Sequence, residues 1–170
     1  MTVWESNLRY RKQSNMRVLI ITTLPNSVVD SIQLNQQVNL HIVDCAEEYN
    51  TIAERVKTCV AKQNPDIILT YRCPYILPKE VFTNARLGAY NIHPTLLPKY
   101  PGMNPWIKIL ENKEQVSGVT LHKINEQIDK GEIIFQTKFR IEPYDTIETA
   151  RQKADKIAAK LATSLINYII

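Results

Sequence analysis

The sequence predicts an α/β domain, built as a mostly parallel, twisted sheet with helices on both faces. Strand-like and helical patterns alternate along the chain, and several of the strand-like runs are continuously apolar, the composition of strands buried on both sides. The chain has 170 residues, 44% of them apolar, enough for one well-buried core and too few for two ordinary domains. Its last stretch switches to a long helical period that closes a single domain.

Each element follows from its own pattern. Met16–Thr22 (MRVLIIT) is apolar after Arg17 and rich in β-branched residues, which predicts a central parallel strand. The turn after it, residues 23–26 (TLPN), contains no glycine. Residues 38–43 predict a second strand. From Tyr49, the apolar residues Ile52, Ala53, Val56, Cys59 and Val60 fall three and four apart on one helical face, and the turn Asn64-Pro65-Asp66 ends that helix. Residues 67–70 (IILT) read as a third buried strand and residues 89–92 as a short fourth. Between them Pro74 and Pro78 enforce an irregular connection with a single helical turn. Residues 117–123 and 133–141 alternate apolar and polar side chains and predict two more strands, with a tight turn around Asp129-Lys130-Gly131 before the second. Asp145 reads as the N-cap of the final helix, with Glu148 three residues on and Ala150, Ala154, Ile157, Leu161 and Leu165 along one face.

Composition excludes several function classes. The formal net charge is +4, and Lys and Arg are dispersed along the chain, so charge gives no support to nucleic acid as a partner. Cys45, Cys59 and Cys73 are odd in number and lack C-x-x-C spacing, which argues against a disulfide framework or a zinc knuckle and for reduced thiols. No segment approaches the roughly 18 to 20 apolar residues of a membrane span. The first fifteen residues carry Arg9, Arg11 and Lys12 without a signal-peptide core, so a soluble, cytoplasmic protein is expected. Met16 stands directly before the first strand. Residues 1–15 therefore read as an extension, either disordered or packed on a neighbouring subunit as in a homodimer, and residues 16–170 as the folded domain.

The chemistry is concentrated late in the chain. All four glycines fall between residues 88 and 131, together with Pro94, Pro98, Pro101 and Pro105, so residues that free or fix the backbone gather where loop geometry matters. Within that window, residues 91–102 (NIHPTLLPKYPG) follow the fourth strand, and ligands of open parallel sheets bind beyond the carboxyl ends of the strands. Asn91 and His93 alternate along an extended segment, so both side chains emerge on one side. Taken singly, each residue has a plain reading: Asn91 as a turn residue, His93 as a hydrogen-bonded structural histidine, Asp129 as a turn aspartate before Gly131.

The motifs together say more. NIHPTLLPKYPG, followed by GVTLH at 118–122 and IDKGEII at 128–134, with ILPKEVF at 76–82, resembles the formyltransferase family that uses 10-formyltetrahydrofolate. That family includes glycinamide ribonucleotide, methionyl-tRNA and amino-sugar formyltransferases, and the resemblance runs over most of the chain from Met16. It implies a Rossmann-like formyltransferase fold, 10-formyltetrahydrofolate as co-substrate and no metal. By the same resemblance Asn91, His93 and Asp129 take the catalytic positions, with His122 behind them helping to position Asp129. The folate pocket is expected along residues 70–77 (TYRCPYIL) and the loop before Asp129, at Tyr75, Ile76, Leu77 and Ile128. The side chains of Ile76 and Leu77 are expected in the core and their backbone in the pocket.

These residue types suit the reaction. An amine attacking a formamide carbon builds negative charge on the carbonyl oxygen and sheds a proton, while the folate nitrogen must gain one to leave. An asparagine and a histidine can serve the oxyanion, and an aspartate can orient the imidazole or relay the proton. His93, His122 and Asp129 also match the inventory of a metal site, though without the closely spaced histidine pair.

Departures from the family's patterns bear on the acceptor. The glycine-free TLPN turn disfavours glycinamide ribonucleotide, whose enzymes hold phosphate with a glycine-rich turn there, and the single closing helix disfavours tRNA, whose enzymes carry a further domain. YILPKEV from Tyr75 and NPW at 104–106 are shared in sense with amino-sugar enzymes, so a small amine, with Trp106 stacking on it, is the expected acceptor. Two other classes stay open: a hydrolase releasing formate from the same folate, and a relative that binds a ligand without turnover.

Overall fold

The computed structural model describes residues 15–46 and 48–170. The segment read as an N-terminal extension lies, up to residue 14, outside the described residues. Strands β1 (Met16–Thr22), β2 (Val38–Asp44), β3 (Ile67–Tyr71), β4 (Ala89–His93), β5 (Val116–Lys123) and β6 (Ile133–Arg140) form one six-stranded sheet in the order β2-β1-β3-β4-β5-β6. β1 to β4 pair in parallel, and β5 pairs antiparallel with both β4 and β6. The sheet is thus mostly parallel, as the apolar runs of β1 and β3 predict.

Alternation along the central strands divides the core into two layers. Val18, Ile20, Ile67 and Leu69 face one layer, while Leu19, Ile21 and Ile68 face the other. The first is closed by α1 (Ser27–Gln33), α4 (Trp106–Glu111) and α5 (Ile147–Ile169), and the second by α2 (Tyr49–Gln63) and the single turn α3 (Lys79–Phe82). Helix α5 buries Ala150, Ala154 and Ala158 completely in this layer, and Ser27 and Ser31 of α1 donate to its Asp155 and Ala159 carbonyls at 3.0 and 3.3 Å. At the amino ends of β1 and β3, buried Asp66 accepts from the Arg17 backbone N–H at 2.9 Å and from Arg86 Nε at 2.8 Å.

Two local features depart from the pattern reading. Helix α1 is too short, at seven residues, for its period to stand out, and Asn26 creates it by accepting from the N–H groups of Val28 and Val29, both at 3.1 Å. The N-cap of α5 is Thr146 rather than Asp145. Thr146 Oγ1 accepts from Thr149 N while Thr149 Oγ1 accepts from Thr146 N, a reciprocal box. Asp145 instead closes the preceding turn by accepting from Glu142 N at 2.7 Å.

The antiparallel pair β5–β6 positions the late motifs. Its register shifts between Leu121 and His122, where Ile134 of β6 is the extra residue of a bulge beside the end of β5. The return from β5 passes so close that a Cβ built on Gly131 meets the Lys123 carbonyl oxygen at 1.7 Å. Gly131→Ala must therefore push the two strands apart, and we expect a loss of about 1 to 3 kcal/mol, read from urea unfolding midpoints. An unchanged midpoint would show that this approach is loose.

Candidate active site

Asn91 and His93 sit on the last turn of the sheet, at the carboxyl end of β4, and emerge on the same side as their alternation requires. Asn91 is held through its amide. Thr70 Oγ1, from the neighbouring strand β3, donates to Asn91 Oδ1 at 2.8 Å, which turns Nδ2 toward His122 Nε2 at 3.1 Å and Asp129 Oδ1 at 3.4 Å. Thr70 opens the 70–77 stretch expected to line the folate pocket, but its hold on Asn91 was not foreseen. Its signal was a polar residue closing an otherwise apolar strand.

His93 is buried and fixed by a carbonyl. Its Nε2 lies 2.9 Å from the Tyr100 oxygen, and a carbonyl accepts, so Nε2 carries the proton and Nδ1 is the free nitrogen of the neutral ring. Nδ1 faces Asp129 Oδ2 at 3.6 Å. Burial pushes the His93 pKa below its ordinary 6.5, against the opposing pull of Asp129 and Tyr100. His93 is therefore neutral at neutral pH, and it serves an oxyanion as a donor only after Nδ1 takes a proton.

Asp129 joins the cluster from the loop after β5, in the left-handed region at φ 55°, a conformation aspartate tolerates better than most residues. Burial by itself raises its carboxyl, but the contacts with His122, His93 and the Gly102 N–H overcome that and bring it down to about 2. The Gly102 N–H donates to Oδ2 at 2.7 Å, and Gly102 has φ 84°, so the KYPG turn supplies a backbone donor where a side chain would be strained. His122 stands behind: Nδ1 lies 2.9 Å from the Lys123 carbonyl and Nε2 3.5 Å from Asp129 Oδ1. Gly131 crosses that same Lys123 carbonyl, so the tight return and the His122 anchor are one feature.

The NIHP loop is tied to the antiparallel strands. Leu97 N donates to Thr120 Oγ1 at 3.1 Å, Thr120 Oγ1 donates to the Thr95 carbonyl at 2.6 Å, and Gln136 Nε2 donates to the Leu97 carbonyl at 2.8 Å. Arg72, Tyr100, Asn104 and Asp129 all adopt positive φ without being glycine, and backbone strain of that kind gathers at working sites.

These groups open into a cavity of about 790 Å³ that bends around the carboxyl ends of β3 and β4. Tyr75, Ile76, Leu77, Ile128 and Trp106 all line it. Tyr75 and Leu77 belong to the core layer under α2 and α3, as expected for Leu77. Ile76 does not: its side chain is 58% exposed, because the extended connection turns it out over the cavity mouth, which corrects its assignment to the core. Ile128 is equally exposed at 58%. The Trp106 ring is 4% exposed and packs on Phe139 at 6.2 Å between centroids, so it forms a wall and leaves little face for an acceptor to stack on. Pocket residues that pattern reading missed include Met103 and Arg151. Among the described residues no group of three or more His, Cys, Asp or Glu is placed to hold a metal ion, and no helix is long and apolar enough to cross a membrane.

Comparison with known proteins bears on the family and the fold. The family described as Formyl transferase matches residues 6–166. Methionyl-tRNA formyltransferase of Thermotoga maritima is 36% identical over 105 residues, 62% of this chain and 34% of that protein. The bifunctional polymyxin resistance protein ArnA of Wigglesworthia glossinidia brevipalpis is 38% identical over 94 residues, 55% of this chain and 14% of that protein. The chain thus spans about a third or less of the length of these relatives. Among solved structures, phosphoribosylglycinamide formyltransferase from Bacillus halodurans superposes with a TM-score of 0.70 at 20% identity, over 85% of this chain and 90% of that one. A formyltetrahydrofolate deformylase from Pseudomonas syringae pv. tomato reaches 0.73 at 17% identity, over 89% of this chain and 60% of that one. These likenesses show the fold, and the match over residues 6–166 shows the lineage: this chain belongs to the formyl transferase family.

Proposed function

We propose that this chain transfers a formyl group from 10-formyltetrahydrofolate to a primary amine at the Asn91–His93–Asp129 cluster. The observation that carries the reading is the buried, ionised Asp129, held between two imidazoles and an amide at the rim of a cavity. The apolar side chains of Tyr75, Ile76, Leu77 and Ile128 that line the cavity suit a flat pterin ring.

The reaction then proceeds with its protons accounted for. The amine nitrogen attacks the formyl carbon, and the carbonyl electron pair moves to oxygen. Asn91 Nδ2 has its weaker contact, the 3.4 Å one to Asp129, available to redirect to that oxygen. The amine proton passes to His93 Nδ1 or, through water, toward Asp129, whose charge stabilises the imidazolium that forms. Collapse of the intermediate breaks the bond to the folate nitrogen, which leaves with that proton.

For the acceptor we propose a small amine, with an amino-sugar nucleotide first; the YILPKEV stretch supports it. The similarity to methionyl-tRNA formyltransferases keeps tRNA as a second acceptor, and the likeness to a deformylase motivates hydrolysis to formate as the second reaction. Purified protein should be given 10-formyltetrahydrofolate with an amino-sugar nucleotide, glycinamide ribonucleotide or charged initiator tRNA, and tetrahydrofolate followed by absorbance. Acceleration by one amine is the expected result. Equal formate release without any amine would make the chain a hydrolase, and no folate turnover in any mixture would overturn the reading.

Variants at three positions extend the test. Asp129→Asn keeps an acceptor for the Gly102 N–H but loses the charge, so turnover should drop about a hundredfold to ten-thousandfold with folate affinity little changed; wild-type turnover would remove Asp129 from the mechanism. Thr70→Val frees the Asn91 amide, and kcat should fall about three- to tenfold while Thr70→Ser restores it. Equal loss in both variants would mark Thr70 as a packing residue. His93, with its lowered pKa, binds fewer protons folded than unfolded, so its contribution to stability is full above about 6.5 and lost as pH falls. The melting temperature of the wild type should therefore drop more steeply than that of His93→Gln between about pH 7 and about pH 5, and parallel slopes would contradict the buried neutral ring.

A further inference from the structure

Two of the three cysteines meet beside the cavity. Cys45 follows β2 and is buried, its N–H donating to the Thr22 carbonyl at 2.8 Å, while Cys73 follows β3 and lines the cavity. Strand β1 lies between β2 and β3, so the two thiols reach each other across its carboxyl end. Their sulfurs are 3.3 Å apart, and Cys73 Sγ also lies 3.4 Å from the Tyr75 carbonyl.

We propose that Cys45 and Cys73 form an oxidation site, in which a peroxide converts the pair to a disulfide that pulls the cavity wall at Cys73 toward β2 and weakens binding along the apolar lining of the cavity. The sulfurs must close by about 1.3 Å to reach the bonded distance of about 2.0 Å. Cys73 is followed by Pro74 and Tyr75, so that movement is carried directly into the wall. The affinity effect rests on the folate reading above; the disulfide does not.

The chemistry assigns different roles to the two sulfurs. The hydrogen bond between them lowers the pKa of Cys73 and raises that of Cys45, and Cys73 is the one open to the cavity. The Cys73 thiolate attacks one peroxide oxygen, the O–O bond breaks, and the departing hydroxide takes up the thiol proton as water, leaving a sulfenic acid. The Cys45 sulfur then attacks the Cys73 sulfur, the S–O bond breaks, and the hydroxide leaves as water with the Cys45 proton. Two thiols and one hydrogen peroxide become one disulfide and two waters.

The experiment uses the Cys59→Ser variant, which leaves the pair alone, treated with hydrogen peroxide and compared with the same protein also carrying Cys45→Ser. Intact mass after alkylation should show loss of two hydrogens in the first, reversed by dithiothreitol, and a dimedone-trappable sulfenic acid at Cys73 in the second. Affinity for 5-formyltetrahydrofolate, a stable folate, should fall about tenfold on oxidation of the first protein and recover on reduction. No loss of two hydrogens overturns the oxidation site. Equal folate affinity in reduced and oxidised protein overturns the movement of the wall. Failure of the reduced protein to bind folate sinks the formyl-transfer reading and the affinity effect with it, while the mass measurement still judges the disulfide.

Discussion

The buried charge of Asp129 is the constraint around which this end of the molecule is organised. A carboxylate removed from water is costly unless donors reach it, and here the Gly102 N–H and the Asn91 amide donate to Asp129 while His93 Nδ1 and His122 Nε2 lie 3.6 and 3.5 Å away. Those groups are spread over separate segments. Asn91 and His93 belong to β4, His122 to β5, Gly102 to the turn after NIHP, and Asp129 itself to the loop before β6. Satisfying one charge therefore fixes the mutual placement of four pieces of chain.

The architecture explains how those pieces can be held. β4 is the strand where the sheet changes from parallel to antiparallel, so its carboxyl end meets the amino-terminal portion of its antiparallel neighbour as well as the loop ends of the parallel half. Thr70 reaches Asn91 from the parallel side, while Thr120 and Gln136 fasten the NIHP loop from the antiparallel side. The bulge at Ile134, opposite Leu121 and His122, and the tight passage of Gly131 over Lys123 lie beside His122. Rigid strands on both sides place a site built from loops, the arrangement that pre-organised chemistry needs.

The protonation pattern follows from the same geometry. His93 gives its one proton in the neutral ring to a carbonyl, which leaves the nitrogen nearest Asp129 as an acceptor. A histidine so placed takes a proton before it gives one. The residue types were legible from the motif; their order of action depends on which ring nitrogen the Tyr100 carbonyl occupies.

Local pattern by itself determined the strands, helices α2 and α5 and the α/β class, because alternation and helical period are written in neighbouring residues, whereas the grouping of Asn91, His93 and Asp129 came from the resemblance of their motifs to a known family. Helix α1 escaped local pattern, being shorter than two full turns, and so did the cap of α5, where two threonines displaced the more obvious aspartate. Tertiary structure alone decided the rest. Whether Ile76 faces the core or the cavity depends on the path of the connection between Pro74 and Pro78, and whether Trp106 can stack on a ligand depends on Phe139 from a distant strand. The support of Asn91 by Thr70 and the meeting of Cys45 with Cys73 likewise require strands 20 to 50 residues apart in sequence to lie side by side, a contact that no local period encodes.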